Sequence, residues 1–396
     1  MENPKVSVLM CVFNCCEFLC SAIGSVLGQP YKNIELIIID DDSTDDSWQI
    51  ACEFAAQDPR VVTIRSPVNQ GASAALNKGL KISTGDFITR QDSDDTMAPE
   101  RLVEQVAYLQ QYPNVGAIGT NIVYIDLIEN VINVSSYPLT NEEIQETLPD
   151  RMCFCGPTVM VRREAFAKAG FYYAEEYSTA EDYDLCLRLA EVTQMGNLAG
   201  TLYRYRQHPG SVSAMKRHHQ LYFKVRALEQ AAFRRYGLNP PQKFIVYIAR
   251  DYLRSAILGC FSNEIASAKK CLELAQHYHP KVLVSGSLQP PLDEMIRRYL
   301  PRQSFEASLV SLERLFQDLF TQNYSMTRLK CRLIGELYIE EAFTRANHSP
   351  TPSFDLRLIW MGIRYDPGWL TNRGILSILF RNTVNRRTLP TLPPIE

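Results

Sequence analysis

Residues 34–47 read IELIIIDDDSTDDS, a near-continuous apolar run followed by aspartates and then by a helical pattern through Trp48, Ile50, Ala51 and Phe54. The run is rich in β-branched residues and too short for a helix, so it reads as a strand covered on both faces. The same unit stands just before it. Residues 6–13 (VSVLMCVF) form an apolar run, and Asn14 is placed to cap a helix with Phe18, Leu19, Ala22, Ile23, Val26 and Leu27 on one face. A third strand is expected over 61–64 with a helix over 71–82, and a fourth strand over 86–89 with a helix over 99–111. Strands that are apolar throughout and alternate with helices predict an α/β fold, a mostly parallel sheet with helices on both faces.

In such sheets ligands bind beyond the carboxyl ends of the strands. Three polar clusters fall at those ends: Asn14, residues 40–46, and the trio Asp92, Asp94 and Asp95 in TRQDSDDTMAPERL, residues 89–102. Like charges this close raise one another's pKa values, so a positive group is expected among them. The plain alternative is a solvated turn that caps the helix begun by Pro99 and Glu100, with Asp95 as the cap.

Beyond residue 115 the pattern is mixed. Short strands are expected over 115–119, 121–125 and 131–134, and Thr140 with Glu143 reads as a capping box. Residues 153–163 read as a loop and strand, 163–169 as a short helix stopped by Gly170, 180–189 as a helix, and 198–205 as an edge strand. From 216 onward the chain reads as helical. There SAKKCLELAQHYHP (267–280) and FDLRLIWMGIRYDP (354–367) are both amphipathic and end at proline. With 396 residues the chain divides into two domains, 1–215 and a mainly α-helical 216–396.

Lys and Arg number 41 against 44 Asp and Glu, a net charge of −3, which excludes a nucleic-acid binder working by bulk charge. Hydrophobic residues make up 46% and charged ones 21%, a globular balance. Eleven cysteines, an odd number, read as free thiols in a reducing compartment, and Cys153 and Cys155 lack a second pair at zinc spacing. Asn14 and Glu17 interrupt the N-terminal apolar run, no cleavage site follows, and no run approaches the length of a membrane span. The expected location is cytoplasmic, with any contact on the inner face of the cell membrane peripheral. Arg373, Arg381, Arg386 and Arg387 flank the apolar ILSILF, which suits an anionic membrane surface, although a buried amphipathic helix with a basic tail is the favoured reading.

Read together, VSVLMCVFN (6–14), IIIDDDSTDDS (37–47), NQGASAALNKGLKISTGDFITRQDSDD (69–95), AEDYDL (180–185) and YRYRQHPGSVS (203–213) resemble family 2 glycosyltransferases of the GT-A fold over roughly the first half of the chain. The resemblance implies an inverting transferase. Its donor would be a nucleotide-diphosphate sugar, with UDP-sugar the leading choice, and its cofactor a divalent cation, Mn or Mg. The acceptor would be a hydroxyl of a glycan or lipid-linked glycan, as in cell-surface polysaccharide synthesis. The leaving diphosphate gains negative charge that a cation must hold, and Mg and Mn take one or two protein carboxylates with phosphate oxygens completing the shell.

By the family pattern Asp94 is the direct metal ligand and Asp92 faces the donor sugar or ribose and shares the metal. Asp95 lies toward the acceptor side, and Asp41 accepts from the imide of uracil or the amino edge of guanine. Val12 and Asn14 contact the nucleotide, the former through backbone, while Asn77 orients backbone beside it. Gly71, Gly79 and Gly85 match the family's glycines. Asp182 is the general base, and Glu181 holds a basic neighbour. His208, in an H-x-x-S element ending at Ser211, ligates the metal or neutralises the diphosphate, and Arg204 and Arg206 share its face to pair with phosphate oxygens. Three features depart from the pattern: Cys11 and Val12 replace the usual Pro-Thr, Asp42 replaces a glycine, and CFCGPT (153–158) fills the variable acceptor-facing loop. Two other readings fit the same motifs, a polyprenyl-phosphate glycosyltransferase and a non-catalytic nucleotide-binding scaffold partner.

Overall fold

The structure, a computed structural model, describes residues 3–177, 179–208, 217–283, 290–320, 324–348 and 354–385. Ser211, Arg386 and Arg387 lie outside the described residues, as does the expected domain boundary at 216. The chain forms two compact units, Met1–Ile248 and Ala249–Glu396, divided within a helix at Gln242–Phe261.

The first unit holds nine strands and the helices between them. Strands β1 (Val6–Val12), β2 (Ile34–Asp40), β3 (Val61–Arg65) and β4 (Phe87–Arg90) alternate with helices α1 (Cys16–Leu27), α2 (Ser47–Gln57) and α3 (Ala72–Ile82). β1 pairs in parallel with both β2 and β4, and β2 in parallel with β3. The aliphatic runs are buried on both faces, as their composition requires. Val8 and Met10 pack with Leu19, Ile23 and Val26 of α1 on one side. On the other, a Cβ at Gly79 of α3 would sit 2.7 Å from the Ile39 side chain and 3.3 Å from that of Leu9, so this helix lies directly on the sheet.

Past β4 the sheet becomes mixed. β5 (Thr96–Met97) leads into α4 (Arg101–Gln111), then β6 (Val115–Ile125) and β7 (Val131–Val134). The two short strands expected over 115–125 are one continuous strand of 11 residues. β8 (Met160–Arg162) runs antiparallel to both β4 and β6, and β9 (Gln194–Arg206) pairs in parallel with β6. The strand order is β3-β2-β1-β4-β8-β6-β9-β5, with β7 hanging on β6. β9 was expected at an edge from its alternation, yet it is flanked by β6 and β5. Its Asn197 and Arg206 are buried, while Gln194 and Thr201 are exposed. Helix α5 (Asn141–Thr147) starts with the expected capping box of Thr140 and Glu143, α6 is Arg163–Lys168, and α7 is Glu181–Val192.

The second unit is helical. Ile339, Ile359, Ile363, Ile375 and Leu379 form a core there, with Trp360 and Trp369 packed against it. Of the apolar ILSILF segment, Ile375 and Leu379 are buried while Leu376 and Phe380 are exposed. Among the described residues no helix is long and apolar enough to cross a membrane.

Candidate active site

The carboxyl ends of β1, β2 and β4 bring the first three polar clusters together. Asp41 follows β2 and is 1% exposed. Its Oδ2 accepts from the backbone N–H groups of Gln70 (3.0 Å) and Gly71 (2.7 Å), which fixes the loop before α3. Its Oδ1 is buried and has no hydrogen-bond partner. Such an oxygen is open to a donor, as are the buried Asp40 Oδ1 and Asp95 Oδ2. Asp42, where the family has glycine, sits at φ +68°, so the loop keeps its left-handed turn with an aspartate, one of the residue types that tolerate it.

Asn14 does not cap α1. Cys15 occupies that position without a side-chain cap bond, while Asn14 takes φ +48°. From there its Oδ1 accepts from the Thr44 N–H at 2.8 Å, and its own N–H donates to Ser43 Oγ at 3.0 Å. Val12 is likewise turned inward: its carbonyl accepts from the Asp41 N–H at 2.8 Å and its side chain lies in the core. Both residues therefore shape the loop that carries Asp41.

The acidic trio divides three ways. Asp92 is held by Arg90, whose Nε donates to Oδ1 at 3.0 Å, and the same guanidinium reaches Glu181 Oε1 at 3.0 Å. Arg90 is the positive group that the clustered charges required, and Glu181 does hold a basic neighbour. Asp94 faces His208, Oδ2 to Nε2 at 3.0 Å, and the imidazole packs on Phe18 with ring centroids 5.6 Å apart. Burial and the charge of Asp92 push the Asp94 carboxyl up, with the His208 hydrogen bond opposing them. Asp95 is 1% exposed and its Oδ1 accepts from the Arg206 N–H at 2.7 Å. It fastens β9 and does not cap α4, whose first turn begins six residues later at Arg101.

Asp94 and His208 offer adjacent oxygen and nitrogen donors, a pair that fits a divalent cation whose remaining positions are filled by phosphate oxygens. Asp92 was expected to share that cation, but its carboxylate is turned onto Arg90. Among the described residues no three His, Cys, Asp or Glu side chains gather as a metal site.

Arg206 is not free for phosphate. Its Nε donates to the Asp94 carbonyl (2.9 Å), its terminal nitrogens go to the Asp126 carbonyl (3.2 Å) and Glu129 (3.2 Å), and it stacks over Phe18. Arg204 shares its face, as the alternation predicts, and also reaches Glu129, with a 3.2 Å bond to the carbonyl, but it is more exposed. Asn77 orients backbone, that of Tyr173. Its amide pairs with both backbone groups of Tyr173, accepting at 2.8 Å and donating at 2.9 Å, and so anchors the segment that leads to α7.

Asp182 stands in the first turn of α7, half-buried, with Oδ1 accepting from the Tyr183 N–H at 2.7 Å. A Cβ at Gly156 would come 2.4 Å from its Oδ2, so the 156–158 turn is its seat and admits only glycine at that point. Burial first, then the charge of Glu181, pushes the Asp182 carboxyl up to about 6, with Arg90 pulling the other way.

The residues 7–170 match the family model described as glycosyl transferase family 2. The putative glycosyltransferase EpsE of Bacillus subtilis is 35% identical over 272 residues, covering 66% of this chain and 93% of EpsE. The Escherichia coli UDP-Glc:alpha-D-GlcNAc-diphosphoundecaprenol beta-1,3-glucosyltransferase WfaP is 32% identical over 261 residues, 65% of this chain and 96% of WfaP. Among solved structures, residues 1–349 of S. aureus TarS in complex with UDP superpose with a TM-score of 0.54 at 16% identity, over 86% of this chain and 91% of that one. That superposition speaks for the fold, which is GT-A. Because nearly the whole of EpsE and of WfaP aligns within it, this chain belongs to the family 2 glycosyltransferases.

Proposed function

We propose that the protein is an inverting, cation-assisted transferase that moves a sugar from a UDP-sugar to a hydroxyl of a lipid-linked glycan. The observation that carries the reading is the disposition of carboxylates around Arg90. Inversion needs one carboxylate to take the proton of the attacking hydroxyl and no second one to act as nucleophile. Asp92 and Glu181 are both committed to Arg90, which leaves Asp182 beside them as the base. Its elevated pKa suits a group that must accept a proton near neutrality.

The other roles follow from position. The unpartnered Oδ1 of Asp41 suits the imide N–H of uracil. Asp94 and His208 would hold the cation, which, when bound, neutralises the charge that grows on the departing diphosphate. Arg204 is the nearer of the two β9 arginines to solvent and would meet the diphosphate, while Asp92 would meet the sugar from its place on Arg90. WfaP is named for a diphosphoundecaprenol-linked acceptor, and at 32% identity it supports an acceptor of that class here. Such an acceptor places the enzyme at a membrane surface, which it would meet peripherally.

A panel of UDP- and GDP-sugars, each with Mn or Mg, tests the reading by nucleotide release and product formation. Turnover of a UDP-sugar with inverted anomeric configuration is the expected result. Retention of configuration, or nucleotide binding without turnover of any donor, would sink it.

A further inference from the structure

Arg101, at the start of α4, is 0% exposed and heads the largest fully buried side chains of the chain. A buried guanidinium ordinarily sits on a carboxylate. Among the described residues it forms no ion pair, and its hydrogen-bond partners are neutral. Nη2 donates to Thr89 Oγ1 (2.8 Å), the Pro157 carbonyl (2.6 Å) and the Arg90 carbonyl (3.4 Å), and Nε donates to Gln105 Oε1 (3.2 Å). Nη1 reaches Gln91 Oε1 at 3.5 Å, and the group lies over the Tyr203 ring, 5.2 Å from its centroid. Burial pulls its pKa down to about 10, so it remains a cation at neutral pH.

The partners belong to two neighbouring segments, which the Thr89 hydroxyl also joins by donating to the Val159 carbonyl at 3.0 Å. Thr89, Arg90 and Gln91 form the stem of the acidic loop. Gln91 Nε2 in turn donates to the carbonyls of Asp92 (3.0 Å) and Asp95 (2.9 Å), and the Tyr203 hydroxyl accepts from the Asp92 N–H at 3.2 Å. Pro157 belongs instead to the turn whose Gly156 seats Asp182. One guanidinium therefore joins the loop carrying Asp94 to the seat of Asp182, from beneath both.

We propose that Arg101 is a positioning residue for glycosyl transfer. It fixes the acidic loop relative to the turn behind Asp182. A planar fork is needed to reach Thr89, Gln91 and Pro157 at once, which a lysine cannot do. The inference rests on the transferase reading above.

The test compares Arg101→Met, Arg101→Lys and Gln29→Ala with the wild type. The donor is the one the panel identifies, and assays run well below the melting temperature of each variant. Gln29, also buried, donates to the Ser25 and Ala98 carbonyls and accepts from the Leu102 N–H, so it anchors the start of the same helix without touching the stem of the acidic loop or the turn behind Asp182. Misplacing reacting groups by about 1 Å costs on the order of 100-fold in rate. The expected result is therefore a roughly 100-fold lower kcat for Arg101→Met, with the donor KM within about threefold of wild type, and a partial rescue in Arg101→Lys. Gln29→Ala should melt earlier yet keep its kcat. If folded Arg101→Met turns over as wild type does, or if Gln29→Ala loses kcat equally, Arg101 is a core residue and the proposal fails. Absence of wild-type turnover with every donor would remove the transferase reading itself, a separate outcome.

Discussion

Asp182, half-buried, and Asp95, fully buried, are carboxylates with opposite duties, and substitution by the isosteric amide separates them. Folding lifts the Asp182 carboxyl to about 6. A group raised in the folded state is ionised at a cost above that value and is relieved as pH falls toward the ordinary carboxylate range. Asp182→Asn should abolish transfer, yet melt at a higher temperature than wild type above pH 6. The gain, on the order of 1–3 kcal/mol, should fade as pH drops to about 4. In the wild type, kcat/KM should rise about tenfold per pH unit below 6 and level off above it, since the base works only when ionised. A flat profile between pH 5 and 7, or an active Asp182→Asn, would remove Asp182 from the role. Asp41, Asp94, His208 and Asp182 could be read from the sequence because each sits in a short motif at a strand or helix end. Arg90 lay in plain view in TRQDSDD, and the need for a cation among those aspartates was evident, but its partner Glu181 is 91 positions away. Arg101 gave no signal, since an arginine in the first turn of an amphipathic helix reads as solvated.

At the scale of elements, the site depends on two joints. Asp95 holds the end of β9 by one backbone N–H, and burial together with Asp94 and Asp92 pushes its carboxyl well up. A neutral acceptor serves as well there. Asp95→Asn should keep near wild-type stability in urea, whereas Asp95→Ala leaves the Arg206 N–H buried without a partner and should lose about 1–3 kcal/mol. Equal losses in the two variants would show that charge, not the hydrogen bond, is what matters. The second joint is Gly156 against Asp182. Gly156→Ala should lower kcat on the order of 100-fold with little change in melting, because the collision is with the side chain that takes the proton. The strand–helix alternation of the first 111 residues was legible because each strand is apolar throughout and each helix has one apolar face. β9 was not, because alternation signals a half-exposed strand. Here polar side chains such as Arg206 and Asn197 are buried by loops that a local pattern does not reveal, and Asn197 donates to the Pro138 and Cys153 carbonyls.

For the molecule as a whole, the proposed lipid-linked acceptor demands an encounter with a membrane, and the described residues contain no helix that crosses one. The helix Arg373–Asn385 buries Ile375 and Leu379 and presents Leu376 (43% exposed) and Phe380 (71% exposed) one turn apart. Partition into vesicles containing anionic phospholipid is expected, weakened by Leu376→Ser with Phe380→Ser, while the melting temperature stays unchanged. Vesicle binding that ignores this pair would place the contact elsewhere. The interior position of β9 bears on how the chain can be divided. The matched family region closes at residue 170, before α7 and before the strand that runs between β6 and β5. A recombinant fragment cut at that limit would lack Asp182 and His208 and would expose the long flank of β6 as a sticky edge, so soluble expression calls for a terminus beyond β9.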